Sequence, residues 1–453
     1  MDVIARPTTQ STMNTLEGLT KKLAEFSVGL ELKAIPATAR DNAKISILDC
    51  LGVAVLATRQ EIGERLITYA KKSAAAGTCT IWGTDVSSSE KDAAFLNGTL
   101  AHGLDYDDRN HASTYSLAVA LATAETVDTS GAATLEAFIV SREVRAALDS
   151  IFAKRSSGIG PGAKGWHSNG ILGPIASACA ASKIFGFDVQ QTTTAIGLAA
   201  GSCGALTRDG GTMAKPFRVG HAASTGVMCA QLAGAGFTSD ETALEGRYGL
   251  LEALGPLPED ILTSLGNSLG REYDLEKAIR VKPFASCTAS HSGVEAMLRL
   301  VETHSISPAD VDVIEADIKP YPLVRAIPKR GFEGRFSLPF CLAHTLVYHR
   351  LRPDDFTDDR LREPLMIDLI GAVRHVPDCQ SVSVILKSGE RFNEMVKSPS
   401  DLKGWNQTAA KFLESVAGIL PHNQQQRVLE SVERLQDIVS IRTLSDGLRA
   451  PVS

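Results

Sequence analysis

The chain has 453 residues, 44% of them hydrophobic and 22% charged, with a formal net charge of −6. That length is enough for a large core and more than one lobe. The acidic balance and the lack of a clustered Lys/Arg run argue against nucleic acid, and no charge-free apolar run is long enough to span a membrane. The eight cysteines are scattered without a CxxC pair, which reads as buried thiols in a reducing, cytoplasmic setting.

In chain order, residues 1–14 read as a flexible polar tail and 15–278 as a helical domain. Pro36 opens a long helix with Ile45, Ile47, Leu48, Leu51 and Val55 on a buried face. Thr80–Trp82 reads as a brief extended piece, and Ser87 with Glu90 has capping-box spacing for the next helix. Leu135–Phe152 alternates charged and apolar residues as a half-exposed helix does. Ile171–Phe185, Thr194–Leu206 and His221–Ala235 are rich in Ala, Gly, Ser and Cys, which lets helices approach closely in the centre of a bundle.

Residues 279–402 change texture to α+β. Asp312–Ile318 and Val382–Leu386 read as strands, the second joined to Arg391–Val396 as a hairpin. Helices are expected at Ser292–Thr303, Pro339–Tyr348 and Asp359–Ile370. Residues 403–453 return to helix, with Gln424–Ile438 amphipathic, and are expected to pack back on the first domain. The fold class is mostly α, a large all-helical domain with a smaller α+β lid.

Five stretches can carry chemistry. Asn97–His111 ends an apolar helix in His102, Asp105, Asp107, Asp108 and His111, where partly buried carboxylates beside an imidazole suit proton transfer. Gly165–Gly170 sets His167 at the mouth of a helix, which disfavours its cation. Gly210–Arg218 brings Lys215 and Arg218 together without Walker order. Lys282–Cys287, followed by His291, carries Lys282 and Ser286; a Cys287–His291 nucleophile is conceivable, but a buried thiol is the preferred reading. Gly334–Phe340 reads as packing.

Together these motifs resemble the MmgE/PrpD family, which includes 2-methylcitrate dehydratase, cis-aconitate decarboxylase and iminodisuccinate epimerase. The resemblance spans nearly the whole chain, from Ile47–Gly52 through Asn97-Gly98, the Asp105–Asp108 acids, Gly165–Pro174, Gly211–Pro216 with Gly220–Ala223, and Lys282–Cys287, to Arg335–Phe340. It implies a cleft between helical domain and lid that binds small di- or tricarboxylates, no metal or organic cofactor, and a homodimer. Matched position by position, it implies catalytic roles for Asp105, His111, His167, Lys215 and Lys282; Arg218, Ser286 and His102 are expected to bind substrate. In the acid/base reading the two imidazoles share the proton work, Asp105 orients one of them and the lysines hold carboxylates. His111-Ala112-Ser113 stands where the family has His-Pro-Ser, after a shortened loop; an ungapped count would place Tyr115 there instead. Arg218 replaces a frequent histidine. The first expectation is dehydration of a 2-methylcitrate-like acid. The alternatives are decarboxylation of a cis-aconitate-like acid, epimerisation of a substituted succinate, or a degenerate small-acid binding protein; a magnesium-dependent terpene-cyclase reading lacks a second acidic motif.

Overall fold

A computed structural model describes residues 18–152, 160–318 and 323–451; the expected tail at 1–14 lies outside them. The helical part comprises α1 (Leu19–Gly29), α2 (Ala37–Ala57), α3 (Glu61–Ser73), α4 (Glu90–Ala101), α5 (Ala112–Val127), α6 (Gly131–Leu148), α7 (Ser168–Phe185), α8 (Val189–Gly201) and α9 (Ala214–Gly234). The α+β part holds α10 (Thr288–Thr303), α11 (Leu338–Tyr348) and α12 (Pro364–Ala372), after which α13 (Gly404–Val416), α14 (His422–Glu433) and a short helix at Arg442–Gly447 follow. Two apolar cores result. One unites residues from Leu19 to Leu275 with Phe412–Leu448, and the other lies between Ala285 and Val384. Tyr106 packs against both. No described helix is long and apolar enough to cross a membrane.

Small residues place the central helices. A Cβ on Gly220 of α9 would stand 2.1 Å from Thr99 Oγ1 and 2.2 Å from Phe95 O of α4, and one on Gly226 would meet Ser177 of α7 at 2.2 Å. Helix α9 is thus gripped on two sides with its backbone in contact, which only glycine permits.

Besides a short antiparallel pair in the helical part, β1 (Cys79–Thr80) with β2 (Ser87–Ser88), the second core packs under a sheet ordered β4–β3–β5–β6, made of β3 (Val311–Ala316), β4 (Val373–His375), β5 (Ser381–Leu386) and β6 (Arg391–Met395). Strands β3/β5 and β5/β6 pair antiparallel, the latter as the expected hairpin, while β3/β4 pair parallel. The three-residue β4 was not expected, because it follows a helix directly and has no alternation to read.

Four local expectations need correction. Ser89, not Ser87, caps α4 by accepting from Asp92 N, and Ser87–Ser88 instead pairs with Cys79–Thr80. The expected helix at Asp359–Ile370 breaks at Pro364, whose ring pushes Glu363 to an extended backbone (ψ 129°). Helix α2 is buried almost all round, Asp49 included. Helix α6 is also buried rather than half-exposed, because its charges have partners: Arg142 meets Asp108, Glu143 accepts from the Asp274 and Leu275 N–H groups, and Arg145 meets Asp149. All eight cysteines are free thiols.

The contact at Gly220 is checked by Gly220→Ala. Overpacking against the α4 main chain is expected to cost ~1–3 kcal/mol, read as a lower urea midpoint at unchanged m-value.

Candidate active site

Four helix ends meet at one place. His102 is the C-cap of α4, His111 the N-cap of α5 and His167 the N-cap of α7, and Lys215 lies in the first turn of α9. The close packing of α4, α7 and α9 is what brings these ends together. The connecting turn is tightly wound: Asp105 (φ 50°) and His111 (φ 62°) both adopt the left-handed region that side chains other than glycine seldom take. It is held by Lys282 donating to Asp105 O (2.7 Å), Lys411 donating to Tyr106 O (2.6 Å) and the His111 N–H donating to Asp108 Oδ1 (2.8 Å). Asp108 also accepts from Ser113 Oγ and pairs with Arg142 at 3.2 Å.

Lys215 Nζ lies 2.6 Å from both Asp105 Oδ1 and His102 Nε2, and Lys282 Nζ is 3.4 Å from Asp105 Oδ2. Asp107 spans two imidazoles, with Oδ1 3.1 Å from His102 Nδ1 and Oδ2 2.8 Å from His111 Nδ1. These partners assign the tautomers: each ring carries its proton on Nδ1, His102 accepts from Lys215, and His111 keeps a lone pair on Nε2. That nitrogen is 3.5 Å from Asp105 Oδ1. Asp107 therefore orients His111, a task first expected of Asp105.

Charge and burial then set the protonation states. Burial alone would raise Asp105, but Lys215 and Lys282 hold it well below the usual carboxylate range. Asp107 is likewise kept low against its burial by His111 and His102. Burial lowers His111 to about 4, and Lys215 assists despite Asp107. His167 is pushed well below its ordinary value by burial and then by Arg218 and Lys215. Its Nδ1 accepts from Asn169 N at 3.3 Å, as a neutral cap must. Burial likewise brings Lys215 down, opposed by Asp105.

A cavity of about 300 Å³ opens beside this cluster. Its wall includes Asp105, His111, His167, Lys215 and Arg218, together with Arg109, Arg145, Asn169 and Phe336. Arg109, Arg145, Lys215 and Arg218 face it against the single carboxylate of Asp105, so it suits an anion. His102 and Ser286 were expected to touch substrate, but both stand outside the wall. His102 is sealed behind Lys215, and Ser286 Oγ bonds Ser290 Oγ at 2.8 Å. Lys282 is fully buried under Asp105. Tyr115, the other aligned position, sits in the core with no exposure. Cys287 reaches the wall, but burial raises its thiol to about 11, which leaves no thiolate for nucleophilic attack. The Arg335–Phe340 segment does more than pack, because the Phe336 ring lies 5.2 Å from Lys215 Nζ at the cavity.

Sequence reasoning missed Arg109, Arg145 and Lys411. Arg109 was part of the shortened loop, where its anchors Asp401 (2.5 Å) and Pro399 O (3.3 Å) lie far along the chain. The donor atoms of His102, Asp105, Asp107 and His111 lie within 4.8 Å of one another, close enough for a divalent ion. Lys215 Nζ bonds two members of that set, His102 and Asp105.

Helix ends thus gather imidazoles and Lys215 beside one cationic cavity. The chain belongs to the MmgE/PrpD family: residues 21–259 match its N-terminal domain and 284–437 its C-terminal domain. It is thus an enzyme with lyase-type activity on small carboxylic acids. It is 27% identical to the cis-aconitate decarboxylase of Mus musculus, over 96% of this chain and 94% of that one, and 26% identical to the Homo sapiens enzyme over 96% and 95%. The cis-aconitate decarboxylase of Aspergillus terreus is 24% identical over 97% of both chains.

The two-imidazole bridge makes a sharp expectation for Asp107→Asn. The amide can donate to His111 Nδ1 and reverse its tautomer, so kcat should fall about 10²–10⁴-fold with the fold intact by circular dichroism. Wild-type kcat in a folded variant would remove Asp107 from the account.

Proposed function

We propose that the protein is a cofactor-independent decarboxylase of cis-aconitate or a close tricarboxylate analogue. The observation that carries this reading is the near end-to-end similarity to cis-aconitate decarboxylases from mammals and a fungus. It moves the preference away from 2-methylcitrate dehydration, the first expectation from sequence. The cationic cavity and the neutral His111 supply a chemical rationale.

In cis-aconitate one carboxylate sits on a methylene carbon next to the double bond. Breaking that carbon–carbon bond releases CO₂, and its electron pair forms a new double bond at the methylene. The old double bond shifts, and negative charge builds on the former vinyl carbon and its carboxylate. One proton delivered to that carbon completes the reaction. Lys215, itself buried, faces the cavity as the cation for this developing enolate, a setting in which such stabilisation is strong. His111 serves as proton donor. It is neutral in the empty site, but the bound trianion favours its cationic form, and Asp105 stands 3.5 Å from the Nε2 that would carry the proton. His167, near Arg218, is assigned to substrate orientation. Lys282 acts from beneath by fixing Asp105. The homodimer and the independence from metal implied by the family are part of the same proposal.

The test is proton NMR of EDTA-treated protein with cis-aconitate in D₂O. The vinyl singlet should give way to two exo-methylene protons and a singly deuterated methylene, while 2-methylcitrate stays unchanged. Consumption of 2-methylcitrate with cis-aconitate untouched would return the assignment to dehydration, and activity abolished by EDTA would end the metal-free mechanism.

A further inference from the structure

Arg145 is part of the cavity wall but has no role in the chemistry above. It is 6% exposed and lies on α6 beside Ser168 and Asn169 of the cavity. Its three nitrogens are used unequally. Nη1 holds Asp149 Oδ1 at 2.7 Å. Nη2 reaches Ser168 Oγ only at 3.5 Å, the outer limit of a hydrogen bond. Nε is buried and has no partner among the described residues.

Nε and Nη2 form one edge of the guanidinium, the edge that grips a carboxylate through two parallel N–H···O bonds. A buried charged donor without an acceptor costs free energy, so such groups are almost always paired. Here the open edge belongs to a residue that walls an anion-binding cavity. On the other side, Arg145 also borders a second polar cavity of about 170 Å³ that includes Glu143, Asp149 and Asp274. Of these, Asp149 holds Nη1, and the Nε/Nη2 edge has no carboxylate partner among the described residues.

We propose that Arg145 is a substrate-binding residue that takes one carboxylate in bidentate fashion, and that it makes the site select tricarboxylates over dicarboxylates. The inference rests on the polycarboxylate reading of the cavity and goes beyond it, because it assigns a third carboxylate to a named side chain. Lys215 and Arg218 provide for two carboxylates, and Arg145 provides for the third. The site's discrimination then comes from a buried donor pair that a dicarboxylate would leave unsatisfied.

The experiment compares wild type, Arg145→Gln and Arg145→Lys by calorimetry with propane-1,2,3-tricarboxylate and with glutarate, alongside cis-aconitate kinetics. Asp149 has a 58% exposed side chain, so loss of its partner leaves it solvated and the variants should fold. For Arg145→Gln, Kd for the tricarboxylate should rise about thirty-fold or more, and KM for cis-aconitate should rise with it. Glutarate affinity should change less than about threefold, and kcat should change far less than KM. Arg145→Lys should recover part of the tricarboxylate affinity, because it restores charge without the fork; it also decides the matter if Arg145→Gln is unfolded. Undiminished tricarboxylate binding in Arg145→Gln, or equal loss for both ligands, would overturn the role of Arg145 alone. A wild type that binds neither ligand and does not consume cis-aconitate would instead overturn the polycarboxylate reading, and this inference with it.

Discussion

The ion pair between Lys215 and Asp105, 2.6 Å apart and almost wholly buried, is the contact on which the rest of the site depends. Taking two charges out of water costs several kcal/mol per ion in effective terms, which a lone pair seldom recovers. Here the surroundings are built to offset it. Lys282 adds a second cation on Asp105, and His102 accepts from Lys215. Asp107 then spreads one negative charge over two imidazoles whose ring centres are 4.3 Å apart. Burial, helped by Lys215 against the pull of Asp107, keeps His111 neutral when no substrate is bound.

The same pair explains why distant segments belong to one machine. Asp105 keeps its left-handed backbone because Lys282, from the crossover into the α+β part, donates to its carbonyl. Lys282 is held in turn: Lys411 on α13 donates to its carbonyl at 3.1 Å and to that of Tyr106, while pairing with Asp49 of α2 at 2.7 Å. The Tyr106 ring lies 3.6 Å from the Lys411 ammonium and packs against both cores. The closing helices are therefore fastened to the catalytic turn through one lysine.

What the sequence disclosed follows from what is local. Small-residue helices, the β5/β6 hairpin and the imidazole at the mouth of α7 are written in adjacent residues, and they were legible. His102, Asp105, His111, His167, Lys215, Arg218, Lys282 and Ser286 could be nominated from motifs, but motifs do not say which side chain faces the cavity. His102 and Ser286, nominated in that way, lie behind the cavity wall. Arg145 escaped because an Arg–Asp pair at i,i+4 reads as an exposed helix face, and only the burial of α6 turns it inward. Arg109 and Lys411 depend on contacts across about three hundred residues of chain, which no local pattern encodes.

Burial, helped by Lys215, holds His111 neutral, with its lone pair on Nε2, until an anion arrives. Nitrogen-15 NMR of histidine-labelled protein, assigned with His111→Gln and titrated from pH 4 to 8, reads this directly. The free enzyme should show the Nδ1–H tautomer of His111 throughout physiological pH, with protonation only near pH 4, and saturating propane-1,2,3-tricarboxylate should shift that protonation upward. An imidazolium at pH 7 in the empty enzyme, or an Nε2–H tautomer, would contradict the account at its foundation.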